Sequence, residues 1–277
     1  MTTPLWPARL HHLRRDSPEP ERLARFYGEL LGDRVERLAA GDWLVAGRGR
    51  LLVVGKGDKA SVPYFALEMR DRAHLDAVRR ELERDAVPCQ SASTPLFADG
   101  AFSVSDPDAR RVVFGLPVPV PDTESRMTAR LQHFVCASTR LDEMLCFYRD
   151  SLGMLESDRV LEGEALSAAF LRSDPEHHCF AAFRAPESRP DHHCYETGGW
   201  NDIRDWGDRM ASLRIPLWLG PGRHGPGNNL FFMIEDPDGH KVEFSAELEL
   251  VPKEAALRTW PHEQRTLNLW GSAWMRS

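Results

Sequence analysis

Seven of the eleven histidines in this 277-residue chain lie between positions 133 and 240. Three groups in that half form a set with metal-binding chemistry: His133, His193 and Glu243. Two imidazoles and one carboxylate are the facial set expected for non-haem Fe(II), with positions left open for substrate and oxygen. Mn(II) suits the same ligand types. Each residue falls on a predicted strand: His133 within 130–137, His193 just before a helix at 200–213, and Glu243 on the strand after the turn Asp236-Pro237-Asp238-Gly239. Side chains alternate along a strand, so Lys241, Glu243 and Ser245 point one way while Val242 and Phe244 point the other. Val242 and Phe244 then pack beneath helices and Glu243 faces a cavity. A buried, unpaired carboxylate is costly, which calls for a cation beside it. Of the adjacent His192 and His193 only one can point inward, and His193 is taken as the ligand. A single histidine on a strand is usually structural. Three such groups at corresponding places in a repeated pattern are read as a site.

The elements that position these residues occur twice. Leu10-His11-His12-Leu13 leads to Phe26-Tyr27-Gly28-Glu29-Leu30-Leu31-Gly32, and Leu131-Gln132-His133-Phe134 leads to Phe147-Tyr148-Arg149-Asp150-Ser151-Leu152-Gly153, offset by 121 at both ends. Tyr64–Met69 parallels His192–Thr197 at an offset of 128, and Asp106–Phe114 parallels Asp236–Phe244 at 130. Offsets that rise slowly in the same order signify two homologous modules. Each reads as a strand (8–14; 130–137), a helix, further strands (36–47, 50–55; 156–162, 165–172, 178–184), another strand, a second helix (72–85; 200–213) and a closing hairpin. The first helix is expected to start at Ser17-Pro18 in one copy and at Ser138 or Thr139 in the other. Gly32 and Gly153 stand where a helix-ending glycine belongs. The first copy has His12, Phe65 and Val113 at the three positions, so only the second copy is a candidate metal site.

The fold class is therefore α+β, with four units: an N-terminal scaffold module at 1–118, a linker at 119–127 containing the end of a Pro-Val-Pro-Val-Pro run, a C-terminal catalytic module at 128–248, and a tail at 249–277. The tail carries Trp260, Trp270 and Trp274, and either packs over an edge or covers a cavity. Hydrophobic residues make up 42% and charged residues 28%, the balance of a globular protein. No apolar run approaches the roughly 20 residues that span a bilayer, and the first residues lack the pattern of a secretory signal. Net charge is −7, which argues against nucleic acid or an anionic membrane as partner. Five cysteines without a CxxC pair suit a reduced, cytoplasmic protein.

These paired βαβββ units resemble the vicinal oxygen chelate superfamily. The arrangement with the site in the second module is similar to the type I extradiol, ring-cleaving catechol dioxygenases. The sharpest stretches are Gly222-Arg223-His224-Gly225-Pro226-Gly227-Asn228-Asn229-Leu230-Phe231 and Asp236-Pro237-Asp238-Gly239-His240-Lys241-Val242-Glu243. The resemblance implies two tandem modules over about residues 8–248 and iron ligands at His133, His193 and Glu243. It also implies an acid–base histidine at His178 and a substrate-contacting histidine at His224. The implied activity is Fe(II)-dependent cleavage of a small aromatic diol with O2 to a semialdehyde-type product, by a protein that assembles as a homo-oligomer. His177 is expected to face outward and His240 to sit in its turn. Arg223 is expected at the surface, with neutralisation of an acidic substituent as the alternative.

One position departs from the family pattern. Where its members usually have a tyrosine, ten residues before the glutamate, this chain has Met233. Methionine cannot donate a proton, so either Tyr195 or a tail residue does that work or the substrate differs from a plain catechol. Two other readings stay open: an oxygen-independent metal-dependent isomerase or lyase, and a protein that only binds a small aromatic. Phe180, Phe183, Trp200, Phe231 and the tail tryptophans are the candidates for an apolar pocket.

Overall fold

A computed structural model describes residues 4–120, 127–273 and Met275. The interior of the expected linker and Trp274 lie outside the described residues. The N-terminal half runs β1 (Arg9–Ser17), α1 (Pro20–Leu31), β2 (Arg34–Arg37), β3 (Trp43–Gly47), β4 (Arg50–Lys56), β5 (Ser61–Glu68), α2 (Arg72–Arg84), β6 (Gln90–Ser91), β7 (Phe102–Ser105) and β8 (Arg111–Gly115). The C-terminal half runs β9 (Arg130–Ser138), α3 (Leu141–Cys146, extended by a wider turn Phe147–Ser151), β10 (Leu155–Glu162), β11 (Ala165–Arg172) and β12 (Phe180–Arg184). It continues with β13 (Arg189–Thr197), α4 (Trp200–Ser212), β14 (Leu219–Arg223), β15 (Leu230–Glu235), β16 (Lys241–Ala246), β17 (Arg258–Pro261) and α5 (Gln264–Leu267).

Each half builds one sheet, in the order β2-β3-β4-β1-β5-β8-β7-β6 and β14-β15-β16-β13-β9-β12-β11-β10-β17. The centre of each sheet is the seam of two βαβββ units: β1 pairs antiparallel with β5, and β9 antiparallel with β13. The tail adds an edge strand, β17 pairing parallel with β10.

Helix starts differ from expectation in the same way in both copies. α1 begins at Pro20 after Glu19, and α3 follows Arg140. Ser17 and Ser138 end their strands, and each hydroxyl accepts the backbone N–H two residues on, from Glu19 at 3.0 Å and Arg140 at 2.9 Å. A serine that closes such a turn favours a bend before the helix rather than its cap. Gly32 and Gly153 end their helices as expected, with φ of 69° and 76°.

The main core crosses both halves, with Phe65 ringed by Phe134, Tyr148 and Phe180 at 5.5–6.3 Å. A reciprocal polar lock accompanies it. Tyr27 on α1 donates to Asp236 in the second half's closing turn at 2.8 Å, and Tyr148 donates to Asp106 in the first half's closing turn at 2.9 Å. Each carboxylate is also paired with a buried arginine, Arg15 to Asp236 at 2.8 Å and Arg110 to Asp106 at 2.7 Å. Removing one partner of such a pair leaves a buried charge uncompensated, at a cost of about 3–5 kcal/mol. Asp236→Asn should therefore lower the unfolding free energy by about 3 kcal/mol in urea titration. A change below about 0.5 kcal/mol would show that the lock does not couple the halves.

Candidate metal centre and pocket

The site forms where β9, β13 and β16 lie side by side. In the parallel β13–β16 ladder Cys194 stands opposite Glu243 and Tyr195 opposite Phe244, so the faces match pairwise. His192, Cys194 and Glu196 share the face of Glu243 and Ser245; Cys194 bonds Ser245 at 3.2 Å, and Ser245 donates to Glu196. His193 and Tyr195 share the opposite face, where Tyr195 meets Phe244. On β9, His133 faces the cavity and Phe134 the core.

His192, not His193, therefore joins His133 and Glu243, and the expected ligand His193 is corrected by one residue. A one-residue change of parity moves a strand side chain to the other face of the sheet. His193 lies within the core against Tyr27, with Nδ1 3.1 Å from His240 Nε2, and burial with Arg15 nearby pushes it well below the usual imidazole range. Ligand atoms of His133, His192 and Glu243 all lie within 4.8 Å of one another, and all three residues are buried. In the N-terminal half Tyr64 takes the place of His192, since Leu13 pairs with Phe65 as Phe134 pairs with His193. There the Tyr64 and Phe97 rings pack against His12 at 5.6 and 4.8 Å and fill the corresponding space.

The hydrogen bonds around the triad show what it is built to hold. Gln132 donates its amide to His178 O at 2.7 Å and Glu176 at 3.2 Å, which leaves its oxygen facing His133 Nδ1 at 2.5 Å. His192 Nδ1 lies 2.6 Å from Asp191 Oδ2. Both Nδ1 atoms thus carry protons, so each ring when neutral presents an Nε2 lone pair. Those nitrogens lie 3.3 Å apart, and 3.6 and 3.1 Å from Glu243 Oε2. Burial would raise the Glu243 carboxyl, but hydrogen bonds from the His133, His192 and His224 imidazoles hold it well below the ordinary range, and against its own burial His192 is raised by its bonds to Asp191 and Glu243. A cation in place of those protons would meet an ionised carboxylate and two imidazole lone pairs. A divalent cation satisfies all of them at once, so the residues fit a metal.

His178 and His224 line the same cavity as the triad. The His178 ring lies 4.4 Å from that of His133, and burial, with His133 and His177 beside it, pushes it well below the usual imidazole range. His177 does not face outward as expected. It is fully buried, its Nδ1 2.9 Å from His178 Nδ1 and its Nε2 3.1 Å from Asp158 Oδ2, off the direct N–H axis. A lone pair that close to an anion would be repelled, so the Nε2 proton stays on His177. With that one proton on the ring, Nδ1 accepts from His178 and leaves His178 Nε2 bare. Burial opposes ionisation of Asp158, yet His177 beside it and bonds from Arg258 and Trp260 hold its carboxyl below the ordinary range. Arg258 and Trp260 belong to the tail strand β17 and reach Asp158 at 2.7 Å each.

His224 stacks on Phe231 at 3.8 Å, its Nδ1 donates to Leu267 O at 2.5 Å, and its Nε2 lies 3.7 Å from Glu243. The tail residues His262, Thr266 and Leu267 line the cavity too. Of the aromatic candidates, Phe183 lines it and Phe231 backs His224. Phe180 belongs to the core, and Trp200 is exposed against Trp270. Met233 lines the cavity directly opposite Glu243 in the ladder, whereas Tyr195 points away into the core and does not replace the tyrosine. His240 is buried behind His193. His177 and Asp158 were missed by sequence reasoning; the only signal was the doubled His177-His178, whose parity spacing alone does not settle.

The family description Glyoxalase/Bleomycin resistance protein/Dioxygenase superfamily matches residues 130–244. Metapyrocatechase 2 of Cupriavidus necator is 32% identical over 132 residues, 48% of this chain and 40% of that protein. The match thus spans less than half the length of that relative. Biphenyl-2,3-diol 1,2-dioxygenase 3 of Rhodococcus globerulus is 30% identical over 143 residues, 47% of this chain and 69% of that protein. Homoprotocatechuate 2,3-dioxygenase from Arthrobacter globiformis shares the fold with a TM-score of 0.83 at 22% identity, over 98% of this chain and 91% of that one.

The geometry separates two adjacent histidines experimentally. His192→Ala should abolish stoichiometric metal uptake, measured by elemental analysis after dialysis, while His193→Ala retains it. The reverse pattern would restore His193 as the ligand.

Proposed function

The chain belongs to the glyoxalase/bleomycin resistance protein/dioxygenase superfamily, among its type I extradiol dioxygenases, and from that premise we propose that it opens the ring of a catechol-type substrate with O2, with Fe(II) held by His133, His192 and Glu243. The observation that supports this most is the convergence of two imidazole lone pairs and a buried carboxylate at one end of an apolar cavity. Bound Fe(II) would supply the open positions and the electron route that bring a chelated diol and O2 together. Cleavage beside the diol, with both oxygen atoms retained, gives a semialdehyde-type product.

The chain's own residues handle protons and positioning. His178, neutral and with Nε2 free, accepts a proton from a substrate hydroxyl and returns it later. Asp158 and His177 fix which nitrogen of His178 is bare. His224, held flat by Phe231 and by its bond to Leu267 O, presents Nε2 to a substrate oxygen. The walls of the cavity exclude water from the reacting oxygens. Met233 offers no proton, so His178 and His224 carry all the proton handling at this end of the pocket.

Met233 is also the observation that favours a second reading, an oxygen-independent isomerase or lyase on the same metal. Oxygen uptake during turnover separates the two. For the first reading, His178→Ala should keep its iron and lose about 100-fold or more in kcat. Asp158→Asn should keep its iron and lose about 10-fold, the scale of a residue that orients another. Both are read by an oxygen electrode beside iron analysis, and full activity of His178→Ala would remove its acid–base role.

A further inference from the structure

The chemistry of the cavity wall identifies the class of ring substituent, an inference that rests on the catechol reading. Opposite the triad the cavity is lined by Val135, Val160, Ala168, Phe170, Ala181 and Phe183. Most of these are inward positions of β9, β11 and β12. Val135, Ala181 and Phe183 form an apolar cluster of their own, apart from the main core, with Ala168 and Phe170 packed on it. An apolar cluster that stands apart from the main core and lines a cavity is a binding surface.

No arginine or lysine among the described residues lines this cavity. Three arginines of the surrounding strands are already committed. Arg223 donates to Asn228 O and to Glu247, both at 2.6 Å, and lies over the Trp270 ring, so it does not serve an acidic substituent. Arg258 is paired with Asp158 and Glu249, and Arg184 with Leu166 O and Asp142. His262 lies at the wall with Nδ1 3.4 Å from Glu162. A carboxylate on the substrate ring would place an anion against alanine, valine and phenylalanine side chains with no arginine or lysine to pair it, which is strongly unfavourable. A hydrocarbon substituent would instead gain from the same wall at about 25 cal/mol per Å² buried.

We infer that this site selects catechols with a neutral, apolar ring substituent and discriminates against those with a carboxylate. The inference goes beyond the reaction class, because the same triad chemistry is compatible with either kind of ring.

The test uses the full chain loaded anaerobically with Fe(II) and three probes: 4-ethylcatechol, 3,4-dihydroxyphenylacetate and the methyl ester of the latter. Acid and ester have nearly the same shape and differ in charge. Anaerobic binding is read by tryptophan fluorescence and turnover by oxygen uptake. The expected result is that ester and ethyl compound bind and react with kcat/KM at least 100-fold above the acid. Ala168→Arg, on the half-buried part of the wall, should narrow that ratio at least 10-fold; an unchanged ratio in the folded variant would count against the wall as its origin. An acid equal to or better than its ester overturns the inference while leaving ring cleavage intact. The expected binding preference without oxygen uptake would instead sustain the inference and overturn the dioxygenase reading. Failure of all three probes to bind overturns both.

Discussion

Everything in the C-terminal half depends on one geometric constraint, the two-residue alternation of β9, β13 and β16 in fixed mutual register. The sheet separates the face that carries the cavity from the main core, and a side chain belongs to one or the other by parity alone. His133, His192 and Glu243 share the concave face, together with Cys194, Ser245 and Glu196. Phe134, Tyr195, Val242 and Phe244 share the core face. His193 is drawn into that second set and becomes part of the buried layer that joins the halves through Tyr27, Arg15 and Asp236. Two consecutive histidines thus serve two different environments. The same register in the N-terminal half places Tyr64 and Val113 beside His12, and Phe97 fills the space between them.

Around the triad the protein arranges acceptors before it arranges charge. Gln132 and Asp191 take the Nδ1 protons of the two histidines, and Asn229 donates to the other oxygen of Glu243 at 3.1 Å. Each bond also fixes a ring or carboxylate orientation, which is how outer partners tune a metal centre. The tail extends the same logic. β17 adds a strand to the sheet edge, and its Arg258 and Trp260 clamp Asp158, whose influence passes through His177 to His178. Residues beyond 248 therefore both line the cavity and set the tautomer of a histidine on its wall.

Much of this was legible in the sequence, and the misses have physical causes. The repeat offsets disclosed two copies of one unit, and the Asp-Pro-Asp turns located both closing hairpins. Glu243 was readable because its neighbours Val242 and Phe244 are unambiguously apolar, which sets the parity of β16. β13 offers no such contrast: His192, His193, Cys194, Tyr195 and Glu196 alternate polar and amphipathic groups on both faces. Its pairing with β9 also shifts register between Pro190 and His192, which breaks simple counting from a neighbouring strand. The helix starts were misplaced because a serine two residues before the first helical residue closes a turn as readily as it caps a helix. Arg223 could not be placed from spacing, since its partners Asn228 and Glu247 meet it only through the β14–β15 hairpin and the segment after β16.

The central claim is that three acceptors on one face of the sheet share a single cation, and locating that cation tests it most directly. Crystals of the full chain grown anaerobically with Fe(II) should show, in an anomalous difference map at the iron edge, one strong peak. It should be bonded to Nε2 of His133, Nε2 of His192 and a carboxylate oxygen of Glu243. A peak at His193 and His240, or none within reach of Glu243, would contradict the account.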